Sequence, residues 1–206
     1  IMDKRNARYV MMDYRMGSAY AGTAGGIFDN MPYLAGDDPD SYYMSYIMPE
    51  PMGKSSLVAY DGNEKYYETM YSRLYYDDGC GGMNRLGKHV NGLEHYRLLY
   101  KSPGYDTVKV FEKVKGAKIT GKAAPDDEVK LSLKLDMQDG QREYVSITKA
   151  DASGNYEFTV PYPTAQKSGE TVSASKYTIA FGNTASAVEV PEDAVMEGKT
   201  ITAGGV

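Results

Sequence analysis

Apolar positions recur along this chain with two different periods, and the change between them divides it. Between Asn63 and Tyr76 the residues Tyr67, Met70, Tyr71 and Leu74 recur at i, i+3, i+4 and i+7. That spacing predicts a helix, ended by Asp77-Asp78-Gly79. From Gly116 onward the period is two. Val129, Leu131, Leu133, Leu135 and Met137 alternate with Lys130, Ser132, Lys134 and Asp136, the signature of a half-buried strand. Tyr144–Thr148, Tyr156–Val160, Tyr177–Phe181 and Ala187–Val190 continue the pattern, with turn residues at Gln138–Gly140 and Ala152–Asn155. Residues 116–206 are therefore expected to form an all-β sandwich of about seven short strands.

The first region reads as mixed. Tyr9–Met12 is a strand-like apolar run that breaks at Asp13, a good N-cap for a following helical turn. Small residues and glycines follow, with Met16, Ile27 and Met31 spaced among them. Residues 35–62 are punctuated by Gly and Pro, although Tyr43, Met44 and Ile47 predict a short helix over Asp40–Ile47. Leu93–Tyr100 and Thr107–Val114 read as strands. In the second, Val108, Val110, Glu112 and Val114 share one face, against Lys109, Phe111 and Lys113 on the other. The expected fold is thus α+β, a mixed α/β core over residues 1–115, followed by the β-sandwich.

Composition sharpens this division. Of 20 tyrosines and 12 methionines, 16 and ten respectively precede residue 106, and there is no tryptophan. Most of these tyrosines are expected to build a core in which Tyr and Met replace Trp and Phe. A net charge of −5 argues against a nucleic-acid partner, which needs basic patches. No apolar run approaches the length of a membrane span. No secretory signal is visible, because Asp3, Lys4, Arg5 and Arg8 interrupt the N-terminus. A chain that begins almost inside a strand, at Ile1, points to a piece of something longer.

Several motifs fail on spacing. Met52-Gly-Lys-Ser55 lacks the glycine that a phosphate-binding loop needs at the position of Met48. Cys80, His89 and His95 match no zinc spacing and are too few for a closed site. Asp37, Asp38 and Asp40 lack the order of a calcium loop and read as an acidic turn. No nucleophile elbow accompanies the histidines. Asp13 with Met16 three residues on remains as a candidate pocket rim.

Three ordered blocks carry a resemblance: RYVMMDYRMGSAYAGTAGGIFDNMPYLAGDD (residues 8–38), KYYETMYSRLYYDDG (65–79), and NGLEHYRLLYKS with VKVFEKVKGAKITG (91–121). Together they resemble the C-terminal soluble domain of AglB, the catalytic subunit of archaeal oligosaccharyltransferase. The resemblance implies part of an enzyme of N-glycosylation, which transfers a lipid-linked oligosaccharide onto the asparagine of Asn-x-Ser/Thr. In that family an Asp-x-x-Met segment, followed by Lys or Ile and then Met or Ile four residues later, lies beside the Ser/Thr pocket. Asp13 and Met16 match the first half. Ile27 and Met31 match the second, across a longer segment, Gly17–Gly26, than the compact pattern has.

The same resemblance implies what lies elsewhere. The family's Trp-Trp-Asp-x-Gly motif has no counterpart in a chain without tryptophan. The ligands of a catalytic divalent metal, Mn or Mg, are expected outside this fragment, which holds no catalytic or metal residues and would not catalyse transfer alone. The implied partners are the acceptor peptide and, through a missing membrane region, the lipid-linked oligosaccharide. The implied place is the extracellular face of the archaeal cell membrane. The competing expectation is a non-enzymatic cell-envelope module that binds glycans or peptides through its tyrosines.

Overall fold

The computed structural model of the chain describes residues 2–14, 27–49, 56–104 and 107–203. Those residues are mostly β-strand. In chain order the first strands are β1 (Tyr9–Met12), β2 (Tyr43–Pro49), β3 (Ser56–Gly62), β4 (Gly82–Met83), β5 (His89–Val90), β6 (Tyr96–Lys101) and β7 (Lys109–Lys113). Helices α1 (Ile27–Leu34), α2 (Glu64–Tyr67) and α3 (Met70–Tyr75) lie among them. After these come β8 (Ala117–Lys122), β9 (Glu128–Met137), β10 (Gly140–Lys149), β11 (Asn155–Val160), β12 (Lys167–Ser168) and β13 (Thr171–Ser173). Strands β14 (Tyr177–Phe181) and β15 (Thr184–Val188), helix α4 (Glu192–Glu197) and strand β16 (Thr200–Thr202) complete the order.

Strand β7 is the centre of a three-stranded antiparallel sheet, with β1 on one side and β6 on the other. Strand β9 is the centre of the largest sheet. It pairs along its whole length with β10, and on its other edge with β14 and β13. The alternation read from the sequence is the alternation observed: Val129, Leu131, Leu133 and Leu135 are at most 1% exposed, while the intervening lysines face out. A third sheet sets β8 between β11 and β16, the last in parallel.

Three expectations need correcting. Residues 40–47 are not a helix, because a 3-10 turn (Pro39–Tyr42) leads straight into β2, which pairs with β3 across the stretch read as turns. The helix over Asn63–Tyr76 is two helices. Thr69 stops the first and caps the second by accepting a hydrogen bond from Ser72 N (3.2 Å), an alternative that its hydroxyl offers the backbone. The region after residue 115 is not all-β, since α4 interrupts it between β15 and β16. In β7 both faces carry buried residues, Lys109 and Phe111 on one and Glu112 on the other, each under 5% exposed.

What joins the regions before and after residue 115 is polar and buried. The Glu112 carboxylate is shared between Arg8 (2.6 Å) and Arg97 (2.9 and 2.7 Å). Arg97 continues, bidentate, to both oxygens of Glu192 at 2.7 Å, in the first turn of α4, where a carboxylate also suits the helix dipole. Tyr162 accepts a hydrogen bond from Leu98 N (2.8 Å), and Tyr144 donates to Leu93 O (3.4 Å). Both tyrosines are essentially unexposed and sit edge-to-face, 5.9 Å apart. Backbone closes the joint at Val145 N to Cys80 O (2.8 Å) and Gly92 N to Val145 O (2.7 Å). Gly81 (φ 74°) must be glycine here, for a Cβ would lie 2.3 Å from Gly92 N.

A second buried carboxylate, Asp78, faces Lys101 (3.0 Å), Arg142 (3.5 Å) and Lys109, whose ammonium also meets the Tyr75 carbonyl. Beside it, burial pushes the Asp77 carboxyl up to about 6, against the pull of Arg73.

Arg97→Ala is expected to lower unfolding stability by about 3–5 kcal/mol, because Glu112 stays buried with less compensation. Arg8→Ala removes a guanidinium 57% exposed and should cost far less. Urea titration of both variants checks the contrast, and equal losses would contradict it. Because its folded pKa lies above the ordinary value, Asp77 contributes stability at low pH that is lost as pH rises through about 6. Asp77→Asn should therefore gain on the native chain between about pH 4 and about pH 7, by about 1 kcal/mol once solvent screening is discounted. Denaturation at several pH values reads this directly.

Candidate functional site

Helix α1 is short, and its sequence explains both its end and its anchorage. Gly36 takes the left-handed conformation (φ 78°), Gly36 N donates to Tyr33 O and Asp37 N to Pro32 O. That pair of bonds is a Schellman stop. Pro32 sits inside the helix, where it removes one backbone donor. Phe28 and Pro32, one turn apart, are both buried, so this face turns inward.

The Phe28 ring meets four tyrosines. Tyr66 lies 4.9 Å away, Tyr42 5.6 Å, Tyr71 5.9 Å and Tyr43 6.4 Å, three edge-on and Tyr71 tilted. Such pairs are favourable beyond the area they bury. Each tyrosine comes from a different local device. Tyr42 ends the 3-10 turn capped by Asp38, and Tyr43 opens β2. Tyr66 belongs to α2, capped by Asn63, and Tyr71 to α3, capped by Thr69. The cluster continues through Tyr75, stacked on Tyr71 at 5.6 Å, and through Tyr76 and Tyr67. Burial holds the Tyr66 and Tyr71 hydroxyls well above the ordinary phenol range. Tyr66, Tyr67 and Tyr71 are at most 5% exposed, so the tyrosine richness here is a core.

The acidic turn is spent on this scaffold. Asp37 accepts from Lys65 (2.8 Å) and from the Tyr42 hydroxyl (2.8 Å), and the Lys65 hydrogen bond holds its carboxyl below the ordinary range. Lys65 also lies 4.1 Å from the centre of the Tyr42 ring. Cys80 is buried, its thiol pushed far up by burial. Among the described residues, no three His, Cys, Asp or Glu side chains gather as metal ligands, so the set present does not fit a divalent metal.

Of the four residues singled out by the recognition pattern, Asp13 follows β1 and is half-buried. Met16 lies outside the described residues. Ile27 opens α1, and Met31 stands one turn later, 39% exposed. Phe28, next to Ile27 in α1, packs on the ring of Tyr71, whose hydroxyl is raised first by burial and then by Tyr76, Tyr75 and Asp13. The sequence pattern marked neither Phe28 as the anchor of α1 nor Tyr71 as one of its supports. Their signal was available: Phe28 adjoins Ile27, and Tyr71 is on the inward stripe of the best helical pattern.

Comparison with known proteins supplies the context. Residues 116–201 match the family model of the archaeal glycosylation protein B long peripheral domain. No curated protein matches the chain by sequence. The oligosaccharyltransferase AglB of Archaeoglobus fulgidus, solved with an inhibitory peptide and a dolichol-phosphate, superposes with a TM-score of 0.77 at 21% identity, over 98% of this chain and 31% of that one. The same organism's enzyme, tethered by a disulfide to an acceptor peptide containing the NVT sequon, gives 0.76 at 21% identity, again over 98% and 31%. A third structure, with Zn and sulfate, gives 0.76 at 20% identity over 97% and 33%. This chain thus spans about a third of the length of the solved structures it matches, and shares their fold over nearly all of its own.

Phe28→Ala should cost about 3–5 kcal/mol of stability, by opening a cavity among four tyrosines. Met31→Ala, on the exposed face of the same helix, should stay within about 0.5 kcal/mol. Thermal unfolding distinguishes the two. A Met31 variant as unstable as the Phe28 variant would show that Met31 serves packing.

Proposed function

We propose, from the match of residues 116–201 to the long peripheral domain of the archaeal glycosylation protein B family, that this chain is part of a C-terminal domain of that family and serves acceptor recognition in an oligosaccharyltransferase. In this reading the full enzyme transfers a lipid-linked oligosaccharide to the asparagine of Asn-x-Ser/Thr, at the extracellular face of an archaeal membrane. Residues 1–115 are its mixed α/β core, carrying the recognition segment, and residues 116–206 the peripheral domain. The observation that supports this best is fold agreement over 98% of the chain with an enzyme solved with both peptide and dolichol-phosphate. A divalent metal, Mn or Mg, belongs to parts of the enzyme outside this chain, and the chain alone is inactive.

The recognition chemistry follows from what a sequon pocket must distinguish. A site that hydrogen-bonds a hydroxyl rejects analogues lacking it, because buried polar partners would be left unpaired. Preference for Thr over Ser needs one apolar contact with a methyl group, about 0.8 kcal/mol, or about fourfold. Met16, with Ile27 or Met31, supplies that wall, and Asp13 fixes the turn that presents it. Exposure of Met31 on a helix whose other face is anchored by Phe28 suits this role: an accessible apolar side chain on a fixed base.

In the full-length enzyme, Met16→Ala is expected to raise KM for Asn-x-Thr peptides about fourfold and to leave Asn-x-Ser peptides nearly unchanged. Equal kinetics for the two peptides before and after the substitution would sink the assignment.

A further inference from the structure

The ribbon made by β2 and β3 exposes apolar side chains on both of its faces. In such a pair, residues opposite each other share a face and neighbours along a strand alternate. Met44, Tyr46 and Met48 are therefore on one face, 40–46% exposed, and Ile47, Val58 and Tyr60 on the other, 43–71% exposed. From Tyr43 to Pro49 and from Ser56 to Tyr60 there is no Asp, Glu, Lys or Arg. The outer edges of the ribbon pair with no further strand among the described residues. Natural sheet edges are commonly blunted by charge, and these are not. A two-stranded ribbon is also marginal in water by itself. Its root holds this one, where the Tyr43 ring lies 5.7 Å from Tyr66 and 6.4 Å from Phe28. The ribbon is thus anchored to the same rings as α1, the helix that carries Met31.

One occupant accounts for all of these features. An extended peptide that adds a strand to an open edge makes main-chain hydrogen bonds and sends its side chains alternately to the two faces. Both faces then need apolar side chains, and both have them. Methionine is soft enough to accept neighbours of varied shape. A flat protein partner would cover one face only, and an anionic surface would need cations that these strands lack.

We propose that the β2–β3 ribbon docks the extended acceptor polypeptide beside its sequon, by strand addition, and favours apolar flanking residues. This rests on the acceptor-recognition reading given above and adds to it the class of flanking sequence. An enzyme that modifies one short sequon in many unrelated sequences must hold the remainder through backbone and through tolerant apolar contact. The ribbon presents both.

The test is made in the full-length enzyme, with lipid-linked oligosaccharide and two synthetic Asn-x-Thr peptides. One carries Val and Ile on both sides of the sequon, the other Gly and Ser. The native enzyme should have the lower KM for the apolar peptide. Ile47→Ser combined with Val58→Ser should raise that KM about tenfold, raise the other less than about twofold, and leave kcat and the unfolding midpoint unchanged. Methylating alternate flanking amides of the apolar peptide, which removes donors and keeps side chains, should raise its KM with the native enzyme. Equal native KM values for the two peptides overturn the proposal, as does a double variant that shifts both equally or neither. If the double variant instead abolishes dimers of the chain, or its binding to phosphatidylcholine vesicles, with both KM values unmoved, the occupant is a second copy or lipid and the proposal falls. Met16→Ala separates the two levels. If it leaves KM unchanged, the recognition reading itself fails. If it raises KM while the ribbon variant does not, only the role of the ribbon fails.

Discussion

The joint around Glu112 is the constraint on which the rest depends. A carboxylate 3% exposed in the middle of a strand is costly unless both oxygens are met, and here Arg8 and Arg97 meet them. Arg97 is itself buried and spans from Glu112 to Glu192. One side chain therefore fixes β6, β7 and α4 relative to one another. The geometry is demanding, since a guanidinium fork accepts only a narrow range of carboxylate placements. A shift of either region along the joint would leave a charge buried and unpaired. Specific register, more than binding strength, is what this arrangement supplies.

Around that joint the chain uses tyrosine in two ways. Tyr144, Tyr162 and Tyr177 are fully buried, and their hydroxyls close backbone positions that water cannot reach, at Leu93 O, Leu98 N and Tyr162 O. Tyr66, Tyr67, Tyr71, Tyr75 and Tyr76 form a bed of rings on which Phe28 lands. Helix α1 is only eight residues long and contains a proline, so it has little stability of its own. Its position is set by Phe28 and by the Schellman stop at Gly36. The exposed face of α1, with Met31, is thereby held at a defined place without being packed.

The β-strands after residue 115 were the most legible part of the sequence. The alternation in Val129–Met137 states which side chains enter the core, and β9 obeys it at every position. The tyrosine-rich helical stripe was legible as buried, but its break at Thr69 was not. There a hydroxyl competes with the helix for a backbone donor, a local choice that periodicity does not register. The strands over 43–49 and 56–62 were missed because Pro49, Pro51, Gly53 and Gly62 punctuate the stretch as turn residues do. The two strands that form there hold one another by cross-strand pairing, which no single segment reveals.

By itself the sequence determined that the second region is mostly β and that tyrosine would fill much of the first region's core; methionine does not, since Met12 is buried but Met11, Met31, Met44, Met48, Met70 and Met83 are exposed. Only the tertiary structure decided that Lys109, Glu112 and Arg97 belong inside, and that Phe28 of α1 packs on Tyr71 of α3. The physical reason is the same in both cases. Periodicity reports the side of an element that faces inward, a property of neighbours a few residues apart. Whether a charge or hydroxyl can be buried depends on a partner brought from far along the chain, as Glu192 is brought to Arg97 from 95 residues away.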